Sequence, residues 1–150
     1  MTTVSESVST LSARVDGAEI EIPAGSTVID ACRQAGADIP TLCYGPTMTA
    51  VNACRVCVVE IEGSRTLVPS CSRKLEDGME ITTGSDRARH SRRLVMELLG
   101  SASELDRAGA RLEQWMTEAG ARPDRFGSPE PESPREVPAP EPRHELEHPE

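Results

Sequence analysis

No run of apolar residues in this chain approaches the eighteen or so that a membrane-spanning helix requires. The opening stretch MTTVSESVSTLSARVDG has neither a basic start nor an apolar centre, so nothing in it reads as an export signal. Lys and Arg total 16 against 25 Asp and Glu, for a formal net charge of −9. No basic stripe is visible, which argues against a surface built to track phosphates. A nucleotide-binding glycine fingerprint, a flavin motif and an acid–base constellation are all missing. These absences predict a soluble, unexported, cytoplasmic protein with no nucleic-acid partner, no direct membrane insertion and no catalytic site of its own.

What is there is unevenly distributed. From Ser128 to Glu150 the chain is almost entirely Pro, Glu and small residues, and its seven glutamates against two arginines carry more than half of the net charge. Such a segment cannot bury enough apolar surface to offset its lost backbone entropy. The expected organisation is a flexible N-terminus over 1–8, a small domain over 9–84, a helical extension over 85–120 and a disordered acidic, Pro-rich tail over 121–150.

Within the domain, Leu11, Ala13 and Val15 alternate with polar residues, Asp16-Gly17 supplies a turn, and Ile20 and Ile22 resume the alternation. Ser26 or Thr27 can cap a short helix that turns Val28, Ile29, Ala31, Cys32 and Ala35 to the core and ends at Gly36. Asp38 to Ala53 has little periodicity and reads as a long ordered loop, a type that is usually functional. Strands are expected at Val58–Ile61, Thr66–Val68 and Met79–Ile81, the last after a turn at Glu76-Asp77-Gly78. A helix from Ser85 to about Leu99, with Leu94, Val95, Leu98 and Leu99 on one side, should close at Gly100. A second helix should run from about Ser103 to Ala119, capped by Ser103 with Asp106, with a stripe of Leu105, Leu112, Trp115 and Met116. The fold class is α+β.

The chemistry lies in cysteine. Cys43, Cys54, Cys57 and Cys71 follow the order C-x10-C-x2-C-x13-C. In a reducing compartment such residues are metal-binding or free rather than disulfide-bonded. Four thiolates brought together by a loop and one more distant cysteine suit a 2Fe–2S cluster. Cys54 and Cys57 are close enough in sequence to hold one iron together, and Gly45 and Ala53 let backbone N–H groups approach the sulfurs. Structural zinc is the alternative, but zinc motifs usually pair two short Cys-x-x-Cys spacings and this chain has one. A Rieske site needs two histidines beside the cysteines, whereas His90 sits in a basic helix and His144 and His148 in the tail. Cys32 reads as a small core residue. Arg55, between two ligands, is expected to offset cluster charge, and the basic run Arg87–Arg93 to be a solvated helix face.

The residues Ile39-Pro40-Thr41-Leu42-Cys43-Tyr44, Cys54-Arg55-Val56-Cys57-Val58-Val59-Glu60, Ser70-Cys71 and Gly78-Met79 resemble one ferredoxin subtype. They are similar to the N-terminal 2Fe–2S domain of the large iron–sulfur subunit of complex I. The same domain occurs in bidirectional NAD-linked hydrogenases and NAD-dependent formate dehydrogenases. The likeness runs from about Val15 to Leu99. It implies a β-grasp ferredoxin-like domain with one 2Fe–2S cluster on Cys43, Cys54, Cys57 and Cys71. In that family the helix matching Ser85–Leu99 is followed by one histidine and three cysteines for a 4Fe–4S cluster. Here Gly100 is followed by Ser101-Ala102-Ser103-Glu104, and no cysteine follows Cys71. The chain therefore reads as a single-cluster module. The resemblance implies an electron-transfer subunit of an NAD-linked or formate- or hydrogen-linked oxidoreductase, with flavin- or NAD-binding or catalytic subunits as partners. A free ferredoxin shuttling between redox enzymes is the alternative, and a non-redox zinc-binding interaction module stands behind both.

Overall fold

Alternating apolar residues on either side of Asp16-Gly17 fold back on each other as expected. β1 (Thr10–Val15) and β2 (Ala18–Pro23) pair antiparallel with Val15 opposite Ala18. The two turn residues have φ of 49° and 88°, the left-handed pair that a two-residue hairpin requires. Gly17 accepts this without cost. Asp16 is held there by its own carboxylate, which receives Thr83 N at 2.8 Å and Thr83 Oγ1 at 2.6 Å.

The computed structural model describes residues 9–102 and 109–127. Its sheet has the order β2-β1-β5-β3-β4, with β3 at Val58–Ile61, β4 at Val68–Pro69 and β5 at Met79–Thr82. β5 runs parallel to β1, and every other pairing is antiparallel. β4 starts at Val68 rather than at Thr66. Across the sheet lies α1 (Val28–Gln34), opened by Thr27 and Asp30, which form a reciprocal capping box. Its buried residues Val28, Ile29, Ala31 and Cys32 meet Ala13, Val15, Ile22, Val59, Ile61 and Ile81 in the main core. The chain is α+β, as expected.

α2 runs from Asp86 to Ala102, past the expected stop at Gly100. Gly100 is buried inside the helix, where a Cβ would lie 2.7 Å from Pro123 Cα. The glycine is a place of close approach, where the 121–127 segment crosses the helix. The buried positions are Ala88, Met96, Glu97 and Gly100. Val95 and Leu99 pack beside them, but Leu98 is 54% exposed, so the expected apolar stripe is rotated. The cause is Glu97, which the 121–127 segment draws inward. Its carboxylate accepts from Arg122 N at 3.2 Å and Arg125 Nη1 at 2.7 Å. Residues 121–127, expected as the start of the tail, are thus seated on α2.

α3 spans Ala110–Ala119 and ends on the left-handed Gly120, φ 62°. The expected cap at Ser103 and Asp106, Leu105, the N-terminal 1–8 and the tail from 128 onward lie outside the described residues. Leu112 and Met116 of α3 join Met96 of α2 and Val56 in a second core, with Trp115 against it. The two helices therefore pack on the domain itself.

Candidate metal centre

Asp38 to Cys57 contains no helix or strand, and this segment carries three of the four cysteines. The fourth, Cys71, follows β4. The β3–β4 pairing sets Val58 opposite Pro69, so Cys57 and Cys71 stand at the same end of that hairpin. Ser70 fixes the juxtaposition. Its N–H donates to Cys57 O at 3.2 Å and its buried Oγ donates to the same oxygen at 2.7 Å, while its own carbonyl accepts from Ile29 N at 3.0 Å. The spacing of the cysteines does not reveal this positioning role.

On the loop side, Cys54 N–H donates to Cys43 Sγ at 3.5 Å. Asn52 and Arg55, on either side of that segment, have φ of 62° and 58°. Left-handed non-glycine residues cost backbone energy and concentrate at functional sites. Here they curl the chain so that N–H groups of Ala53 and Cys54 face the Cys43 sulfur. The Cys54 N–H, helped by the Cys54 thiol and the Ala53 N–H, holds the Cys43 thiol below its ordinary value. The Cys71 thiol donates towards Asn52 Oδ1 at 4.0 Å, which closes the ring between hairpin and loop.

Burial and the neighbouring Cys57 thiol push Cys71 up to about 12, and the charges of Cys43 and Cys54 add to this. The other three sulfurs are therefore within electrostatic reach of Cys71. The Cys54 N–H meets the Cys43 sulfur on the loop, and the β3–β4 register sets Cys57 beside Cys71 on the hairpin, whereas the two-residue spacing pointed to Cys54 with Cys57. Two thiol pairs with backbone N–H groups facing sulfur fit a two-iron cluster better than they fit zinc.

Arg55, expected to offset charge at the site, is exposed on the loop. Cys32 is fully buried in α1, where burial pushes its thiol up to about 12, and it belongs to the core. His90 is exposed on α2 with Nδ1 3.0 Å from Arg93 Nη2, and His144 and His148 lie outside the described residues. The basic run is only partly a solvated face. Arg87 reaches Glu60 Oε1 at 2.8 Å, and the half-buried Arg92 donates from Nη2 to Val58 O at 2.7 Å, one residue beyond Cys57. Over the loop, the Tyr44 ring lies under the Arg33 guanidinium at 5.5 Å.

Residues 9–86 match a family model described as the 2Fe-2S iron-sulfur cluster binding domain. The NADP-reducing hydrogenase subunit HndD of Solidesulfovibrio fructosivorans is 44% identical over 97 residues, covering 61% of this chain and 17% of that protein. An NADH-quinone oxidoreductase subunit of Rickettsia typhi is 46% identical over 85 residues, covering 57% and 13% respectively. A solved chain of an NAD+-reducing NiFe-hydrogenase in the H2-reduced state superposes with a TM-score of 0.70 at 26% identity, over 83% of this chain and 55% of that one. The chain thus spans less than a fifth of the two sequence relatives and about half of the structural one. None of the helices described is long and apolar enough to cross a membrane.

Proposed function

The chain belongs to the 2Fe-2S iron-sulfur cluster binding domain family, and from that premise we propose that Cys43, Cys54, Cys57 and Cys71 hold one 2Fe–2S cluster and that the chain is a one-electron carrier within an oxidoreductase complex. The observation that carries this reading is the arrangement of four thiols as two pairs, one on the loop and one on the β3–β4 hairpin. Such a cluster, when bound, takes up one electron and gives it back.

The protein's part is ligation, hydrogen bonding and burial. Cys57 and Cys71, each 2% exposed, supply the shielded side, while the partly exposed Cys43 and Cys54 supply the side open to a partner. N–H groups of Ala53 and Cys54 are positioned to stabilise added negative charge on sulfur. The complex meant is NAD-linked, or formate- or hydrogen-linked, with flavin- or NAD-binding or catalytic subunits as neighbours. The kinship of the domain with subunits of NADH-quinone oxidoreductase and NADP-reducing hydrogenase supports this.

Anaerobic purification from the native host, with metal analysis and EPR of the dithionite-reduced material, tests the proposal. Two irons and two sulfides per chain, a reversible EPR signal and retention of partner subunits are expected. A folded, colourless, zinc-loaded chain would sink it. A loaded chain that purifies alone would favour the shuttle ferredoxin.

A further inference from the structure

One short helix holds the cysteine-bearing loop at both of its ends. At the entry, Arg111 Nη2 of α3 donates to Asp38 Oδ1 and Oδ2 at 2.8 and 2.7 Å, and Trp115 Nε1 donates to the same carboxylate at 3.2 Å. The Arg111 guanidinium also lies 5.1 Å over the Trp115 ring, so the two gripping side chains brace each other. At the exit, Val56 is fully buried against Met96 of α2 and Leu112 and Met116 of α3. Leu42 and Cys54 pack on the same cluster. The residue before Cys43, Cys54 itself and the residue before Cys57 therefore all rest on the α2–α3 core.

We propose that α3 is a latch on the metal-binding loop. Docked, it fixes Cys43 and Cys54; undocked, it frees that pair to gain or lose iron while Cys57 and Cys71 stay in place. The iron part of this inference rests on the cluster reading above.

Three observations make α3 the element that opens. It has ten residues, below the length at which an isolated helix is stable in water, so it is helical only while docked. Among the described residues it contributes two buried side chains, Leu112 and Met116, whereas fourteen buried residues hold the main core, so the helix separates at a lower free energy than the sheet unfolds. Its ion pair to Asp38 is about half exposed, with side chains 57% and 48% accessible, so it adds orientation more than strength. Cys57 and Cys71, by contrast, belong to the main core and flank the β3–β4 strand pairing. Opening therefore frees Cys43 and Cys54, while Cys57, although its neighbour Val56 loses the α3 contact, and Cys71 are still held by the main core. Arg111 and Trp115 are positioning residues in this scheme.

The test uses the full chain with Arg111→Gln/Trp115→Phe, with Leu112→Ala as a second route to undocking, and Glu113→Gln on the exposed face as control. In the iron-free chain, alkylation by iodoacetamide is followed at each cysteine by peptide mass spectrometry. In the loaded chain, iron transfer to a ferrous chelator is timed. Loss of the Asp38 grip should accelerate Cys54 labelling and iron transfer by about fivefold, leaving Cys71 labelling and the control unchanged. Unchanged Cys54 labelling in both undocking variants would overturn the latch, and so would equal acceleration at Cys71. A wild-type chain that holds no iron, yet shows the selective Cys54 effect, would remove the cluster reading and leave the latch standing.

Discussion

Arg92 of α2 reaches the edge of the metal-binding segment, donating from Nη2 to the Val58 carbonyl at 2.7 Å, one residue beyond Cys57. Burial pulls its guanidinium below the ordinary value, and the nearby Cys32 and Cys57 thiols offset part of that cost. It remains a cation, placed behind the shielded thiol pair. Arg55, the cation expected from sequence to tune the site, is exposed to solvent on the loop.

These two arginines should affect the reduction potential unequally. At a separation on the order of 10 Å, a unit charge acts with about 1–2 kcal/mol at an effective dielectric of 20 but with only a few tenths in water. Arg92→Gln should therefore lower the midpoint by tens of millivolts, and Arg55→Gln by about 10–20 mV, the latter shrinking in high salt. Midpoints from protein-film voltammetry at two ionic strengths would decide. An upward shift for Arg92→Gln, or a larger effect from Arg55, would remove the role given to Arg92.

On the proposed reading the five cysteines divide into four ligands and one core residue. Serine at Cys43, Cys54, Cys57 or Cys71 should abolish the visible absorption of the cluster or change it strongly, and lower the iron content. Cys32→Ala should leave the spectrum intact and cost about 1 kcal/mol in stability, since it removes one buried sulfur from α1. Iron assays and thermal melts on the five variants are the measurement. A loop-cysteine variant with full iron and an unaltered spectrum would strike that residue from the ligand set.

What the sequence made legible was decided by neighbours within a few residues. The Asp16-Gly17 hairpin and a helix cap at Ser26 or Thr27 depend on local chemistry, and both formed as expected, the cap at Thr27 with Asp30 completing a reciprocal box. In the sequence Gly100 reads as a helix stop because glycine commonly serves as one, yet its role depends on Pro123, more than twenty residues away. Arg92 was indistinguishable from its basic neighbours until β3 was placed beside α2. The cysteine motif was plain, but the division into a loop pair and a hairpin pair came from β3–β4 register and from Ser70, which no spacing rule encodes.

Gly100→Ala should undock the 121–127 segment. The added methyl would sit 2.7 Å from Pro123 Cα, which is backbone and cannot swing aside. Overpacking of this kind costs about 1–3 kcal/mol, more than the gain in helix propensity from replacing glycine. Increased trypsin cleavage after Arg125, with an unchanged cluster spectrum, is expected, since the Arg122 bond is protected by the following Pro123. A variant as resistant to cleavage as the wild type would show that the contact is not needed to seat the segment.

Acid should release the same segment through Glu97. The side chain is 2% exposed, and burial alone would push its carboxyl up, but Arg125 and the Arg122 N–H outweigh this and hold it below the ordinary carboxylate value. Because the folded value is the lower one, the stabilisation is fully present above about pH 4.3, the ordinary value for glutamate, and is lost as pH falls through the folded value. Glu97→Gln removes the charge at every pH. The stability gap between wild type and Glu97→Gln should therefore be widest near neutrality and close towards pH 3. Denaturant titrations of the iron-free chain, followed by the fluorescence of Trp115, the single tryptophan, would measure that gap. A gap that stays constant from pH 7 to pH 3 would mean that the Glu97–Arg125 pair contributes nothing as an ion pair, and that the segment is seated by the Gly100–Pro123 contact alone.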